Sequence, residues 1–137
     1  MLTETLISLF ERDLKKLKNE LELYSNESQI WKIDREISNS AGNLTLHLIG
    51  NLNTYIGAQI GKTGYIRNRP LEFSSKDIPR SELIQKIEDT IIVVNNALEI
   101  LNEKDYKIKF EDNDFIFRLR AFLRTLIIFS LNNFLIF

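Results

Sequence analysis

The chain contains no cysteine and only one histidine, His47, among its 137 residues. The absence of cysteine excludes a disulfide framework, a cysteine-based zinc site and catalysis by a thiol of the protein itself. A single histidine excludes a metal site built from two or three histidines of one chain. These absences restrict the available chemistry to carboxylates, amides, hydroxyls, basic side chains and one imidazole.

Neither sign of charge dominates the sequence. Lys and Arg total 18 and Asp and Glu total 19, so the net charge is -1 and the pI is about 5.9. Because there is no strong basic excess, we do not expect nucleic acid as a partner. The 44% hydrophobic and 27% charged residues are typical of a soluble globular protein. The length predicts a single domain spanning residues 1–137.

Neither end of the chain carries a pattern typical of a secretory signal or a membrane span. The N-terminal stretch has acidic residues in its first turns and no apolar run that ends in small residues. The apolar C-terminal stretch is interrupted by Arg118, Arg120 and Arg124, and the remainder is shorter than the ~20 apolar residues of a spanning helix. We therefore expect no membrane span and a cytoplasmic location.

Apolar residues recur at spacings of three or four in four stretches of the sequence. Such spacing predicts amphipathic helices at about residues 3–24, 40–60, 78–101 and 114–133. An irregular connection at 62–77 separates the second helix from the third. The pattern predicts an all-α four-helix bundle with a long crossover between helices two and three.

The second predicted helix has a clear start and several glycines. Asn39 or Ser40 is suited to the N-cap position, because a short side-chain oxygen accepts from the first free backbone N–H groups. Gly42, Gly50 and Gly57 lower helix propensity by about 1 kcal/mol each. Their expected use is the close approach of another helix.

A polar row accompanies the leucines of this second helix. Asn43, His47 and Asn51 are spaced by four, so they lie on one helix face. His47 is a candidate metal ligand or general base facing a pocket between helices. The alternative is a structural histidine whose ring is hydrogen-bonded to a neighbouring side chain or carbonyl.

The crossover contains two arginines, Arg67 and Arg69, between the aromatic residues Tyr65 and Phe73. Two guanidinium groups this close are able to hold a small anionic ligand through bidentate hydrogen bonds. Alternatively, Arg67 or Arg69 pairs with a carboxylate of this protein and stabilises the crossover.

Two sequence elements resemble a known family. The stretch SNSAGNLTLHLIGNL at 38–52 and the stretch YIRNRPLEF at 65–73 are similar to the DinB-like superfamily, and in particular to its DUF1572 branch. The elements H-L-x-G-N-L and R-N-R-x-x-E-F carry the resemblance, which covers about residues 2–102.

The resemblance implies a four-helix bundle of DinB/YfiT type, often dimeric, with a divalent metal such as zinc or nickel. Members of the superfamily resemble metal-dependent hydrolases or transferases of low-molecular-weight thiols. Their ligands are one histidine on helix two, matched here by His47, and an H-x-x-x-H pair on the last helix. The predicted fourth helix contains no histidine.

We therefore expect a degenerate metal site, no tightly bound metal and no robust catalysis. The alternative is a divalent-metal-dependent hydrolase or thiol transferase with a pocket around His47. Because the C-terminal stretch is strongly apolar, we also expect a homodimer.

Overall fold

The computed structural model of the protein describes residues 2–33 and 38–101, and the predicted helix at 114–133 lies outside them. Within these ranges all regular secondary structure is helical, as the sequence predicted. None of the helices in this part of the chain is both long enough and apolar enough to span a lipid bilayer. The α-helices are α1 (Leu2–Glu22), α2 (Ala41–Leu52), α3 (Arg69–Ser74) and α4 (Arg80–Glu99), with a 3₁₀ turn at Glu27–Trp31 and a π turn at Asn53–Ala58.

The core lies where α1 packs along α4, with α2 closing the third side. Leucines recur along one face of α1, and most of them are fully buried. Leu9, near the start of this face, is 41% exposed. Aliphatic residues that recur every three, four or seven positions in α4 pack against this face of α1. The innermost side chains are those of Leu14, Leu17, Leu21, Leu48, Leu83, Ile87, Val94 and Leu98.

Trp31 connects the 3₁₀ turn to two helices. Its indole ring lies against Gly42, where an added Cβ would be 2.7 Å from Cε3 and Cζ3 of the ring. The indole Nε1 donates a hydrogen bond to the carbonyl of Ile78, at 3.3 Å. The loop that follows α1 is thereby fixed both to the start of α2 and to the approach to α4.

The second predicted helix begins as expected and ends in a different conformation. Ser40 is the N-cap, since its Oγ accepts from the backbone N–H of Asn43 at 3.1 Å. The prediction of one continuous helix to Ile60 is wrong in its last part, because α2 passes into the π turn after Leu52. Asn53 stabilises this transition, since its Nδ2 donates to the carbonyl of Ile49 at 2.9 Å.

The crossover is more ordered than the predicted irregular connection. It contains the short helix α3, whose N-cap Asn68 accepts from the N–H of Leu71 at 3.3 Å. Three residues with left-handed backbone conformation flank it: Lys62 (φ 54°), Gly64 (φ 77°) and Asp77 (φ 57°). The chain therefore turns sharply on each side of α3.

The start of α4 depends on a residue from the first loop. Pro79 occupies the N-cap position and makes no side-chain capping bond. The carboxylate of Glu27 instead accepts the backbone N–H of Arg80. A negative charge at this position also interacts favourably with the helix dipole.

Candidate functional site

The polar row of α2 faces the crossover, and it meets side chains that converge from α3 and the segment before it. His47 and Asn51 are partly buried and Asn43 is buried. The crossover contributes Arg67 and the carboxylate of Glu72. Glu72 is the only buried residue of α3.

Arg67 and Glu72 form a bidentate ion pair. Nε of Arg67 donates to Oε2 of Glu72 at 2.8 Å, and Nη2 donates to Oε1 at 2.7 Å. The side chains are only 14% and 7% exposed, so solvent screens the pair weakly. Hydrogen bonding to Glu72 raises the pKa of Arg67 above its usual value, with further contributions from the charge of Glu72 and from Tyr55. The pairing of Arg67 with a carboxylate was one of the two alternatives for this segment.

His47 is engaged at both ring nitrogens. Nδ1 lies 3.0 Å from Oε1 of Glu72, and Nε2 lies 3.3 Å from Nδ2 of Asn51. Nδ1 also lies 3.1 Å from Nη2 of Arg67. In one tautomer Nδ1 donates to Glu72, and in the other it accepts from Arg67. Both ring nitrogens of His47 therefore lie within hydrogen-bond distance of a polar side chain.

Asn43 ties the backbone of α3 to α2. Its Nδ2 donates to the carbonyls of Glu72 at 2.9 Å and of Ser75 at 2.8 Å. Its Oδ1 accepts from Oγ of Ser40 at 2.6 Å. All hydrogen-bonding groups of this buried amide are used, which makes Asn43 a structural member of the polar row.

Gly50 creates the space that the carboxylate of Glu72 occupies. A Cβ at position 50 would lie 2.6 Å from Cδ of Glu72, which no side chain tolerates without a shift. The expected use of this glycine was the approach of another helix. In the structure the group that approaches is a charged side chain of α3, which crosses the surface of α2.

Arg69 takes no part in the ion pair between Arg67 and Glu72. Its guanidinium lies 5.4 Å from the ring centroid of Phe73, at cation–π distance, and Arg69 is exposed. The ring of Phe73 in turn lies 5.0 Å from that of His47 with an interplanar angle of 42°. The two arginines of the crossover therefore have separate partners.

The described side chains around His47 do not form a three-ligand set for a divalent metal. In the described ranges no group of three His, Cys, Asp or Glu side chains is close enough to hold an ion. Both nitrogens of His47 have partners, and both oxygens of Glu72 accept from Arg67. The guanidinium next to the imidazole would also repel a cation.

The sequence was compared with known proteins and families. No curated protein matches it, and neither does any solved structure. The family DUF1572, described as a protein of unknown function, matches residues 2–113, which is most of the chain. This chain is therefore a member of the DUF1572 family.

Proposed function

We propose that this protein is a DinB-like helical bundle with a degenerate metal site and no robust catalysis. In this proposal His47 anchors the crossover to α2. The observation that carries it is the engagement of both ring nitrogens, Nδ1 by Glu72 and Nε2 by Asn51.

The charges of the cluster support the same conclusion. The positive charge of Arg67 and the negative charge of Glu72 cancel within one bidentate pair. In the part of the chain that the structure describes, the charged groups in contact with His47 are Arg67 and Glu72, and they pair with each other. A general base also needs a free lone pair within reach of the proton that it removes. Both ring nitrogens of His47 already lie beside polar side chains.

One feature favours the alternative of a divalent-metal-dependent hydrolase or thiol transferase. Histidines that bind metals commonly donate their second ring N–H to a carboxylate, which orients the imidazole. Glu72 holds Nδ1 of His47 in this way. Under the alternative, Nε2 would exchange Asn51 for a metal ion.

Metal analysis of protein purified without chelators separates the two proposals. We expect equal and negligible zinc and nickel in the wild type and in His47→Ala, both as purified and after incubation with each metal followed by dialysis. Arg69→Gln is the matched control, because it removes an arginine of the same crossover whose guanidinium lies over Phe73 and outside the ion pair. Near-stoichiometric metal in the wild type that is absent from His47→Ala, with metal-dependent ester hydrolysis or thiol transfer, would establish the alternative.

We further propose that the protein is a homodimer in which exposed apolar side chains are covered. Ile66 is 88% exposed and Ile100 is 66% exposed, and the C-terminal stretch is apolar. Arg69 remains accessible to a small anionic ligand or to the partner subunit. Light scattering after size exclusion should give the dimer mass, and a monomer at all concentrations would contradict the proposal. Arg69→Gln should weaken either the dimer or anion binding.

A further inference from the structure

The crossover at residues 62–77, called the crossover flap below, has turning points at both ends. Lys62 and Gly64 adopt left-handed conformations before α3, and Asp77 adopts one after it. Hinges consist of a few such terminal positions that absorb large changes in φ and ψ. Lys62 and Asp77 carry side chains in a conformation that favours glycine, which makes these two positions candidates for the hinge.

The crossover flap is held by polar contacts instead of an apolar core. Glu72 is the only buried residue of α3, while Leu71 is 54% exposed and Ile66 is 88% exposed. A segment that buries little apolar surface loses little hydrophobic stabilisation when it leaves the protein. The cost of opening therefore lies in the hydrogen bonds that Asn43 and His47 of α2 make with the flap. The ion pair between Arg67 and Glu72 lies within the flap and orients the carboxylate toward His47.

The side-chain hydrogen bonds that hold α3 to the rest of the protein come from α2. Among the described elements, α3 packs chiefly on α2, and its anchoring groups are Asn43 and His47. The core between α1 and α4 does not include a residue of the flap. Breaking the contacts of Glu72 would thus release the flap and leave that core intact.

We propose that the crossover flap is a latched lid that opens as a unit about Lys62–Gly64 and Asp77 while α1, α2 and α4 stay folded. The latch consists of Asn43 and His47 of α2 with Glu72 and Ser75 of the flap. Opening uncovers the polar row of α2, including the Nδ1 edge of the imidazole now contacted by Glu72 and the ring contact with Phe73. Access to His47 is thereby controlled by the flap.

Native-state hydrogen exchange at increasing urea concentrations tests the proposal. The side-chain amide of Asn43, which donates to the carbonyls of Glu72 and Ser75, reports on release of the flap from α2. The backbone N–H of Ser75, which donates to Leu71, shows whether α3 itself stays folded. The backbone amides of Leu17 and Ile87 report on the core. At low urea we expect the Asn43 amide to exchange at least about tenfold faster than the core amides, with little dependence on urea, as in local opening.

Two variants examine the latch and the hinge separately. His47→Ala should accelerate exchange of the Asn43 side-chain amide about threefold or more, because it removes the contact between α2 and the carboxylate of Glu72. Asp77→Gly should slow the same exchange, because glycine holds the left-handed conformation without a steric penalty. Lys76→Gln, at an exposed position of the flap, should leave the exchange unchanged. Exchange of the Asn43 amide at the rate and urea dependence of Leu17 and Ile87 would overturn the proposal, since the flap would then open only on global unfolding.

Discussion

The carboxylate of Glu72 lies against the Cα of Gly50. A side chain at position 50 would begin 2.6 Å from Cδ of Glu72 and 3.2 Å from Nε of Arg67. The ion pair between helix α3 and the preceding segment therefore rests on the bare backbone of α2. One glycine determines whether the pair reaches His47.

Replacing Gly50 with alanine should displace Glu72 and disrupt the cluster. Alanine is the better helix former, yet we expect a loss of about 2–4 kcal/mol in the free energy of unfolding, because a buried charge pair is separated. Urea unfolding followed by circular dichroism measures this loss. Asn96→Ala, at an exposed position of α4, is the control and should change stability by less than about 0.5 kcal/mol. A Gly50→Ala variant as stable as this control would show that the carboxylate moves without cost.

Arg67 and Glu72 should be strongly coupled in a double-mutant cycle. Arg67→Gln and Glu72→Gln should each cost about 2–4 kcal/mol, because each leaves a charged partner without its counter-ion in a poorly solvated place. The double variant should cost less than the sum, with a coupling energy of about 1.5–3 kcal/mol. Additive effects in urea unfolding at neutral pH would contradict the ion pair described here. Asn96→Ala, at the exposed control position of α4, should remain close to the wild type.

Tyr24 should make the stability sensitive to alkaline pH. Burial, and secondarily the nearby Glu20 carboxylate, raise the pKa of Tyr24 from 10.0 to about 12. Because the folded protein holds this proton more tightly than the unfolded chain, the contribution is complete below pH 10 and is lost as the pH rises through about 12. Between these values the wild type should lose about 1–3 kcal/mol more than Tyr24→Phe. Parallel stability curves for the two proteins would rule out this role.

Trp31 offers a spectroscopic test of the packing of the first loop. Gly42→Ala would place a methyl group 2.7 Å from the indole ring, so the ring must shift. We expect a loss of about 1–3 kcal/mol and a changed emission maximum of the chain's one tryptophan. A spectrum identical to that of the wild type would mean that the backbone of α2, and not Trp31, moves.

Hydrophobic periodicity predicted the main helices well, because the apolar faces of these helices form the core. The first predicted helix corresponds to α1, the second to α2 with its π turn, and the third to α4. Ser40 was one of two proposed N-caps, and it is the residue that caps α2. The short α3 was missed, since Leu71 is exposed and a single turn with one buried glutamate has no apolar stripe.

The site was predicted in part. The spacing of Asn43, His47 and Asn51 indicated a common helix face, and Arg67 was recognised as a candidate for pairing. Glu72 was not identified as the residue that joins them, because its partner His47 lies 25 positions away and no local pattern reports such a contact. The available signal was the glycine three residues after His47, which leaves room for a side chain from elsewhere.

The start of α4 is stabilised by two side chains that lie about fifty residues earlier in the sequence. Glu27 accepts the first amide of α4, and Trp31 binds the carbonyl of Ile78 just before it. Both side chains are therefore synthesised before α4. A fragment starting after residue 33 would contain α4 without either contact. Deleting the first 33 residues should thus damage the last described helix, although the two are far apart along the chain.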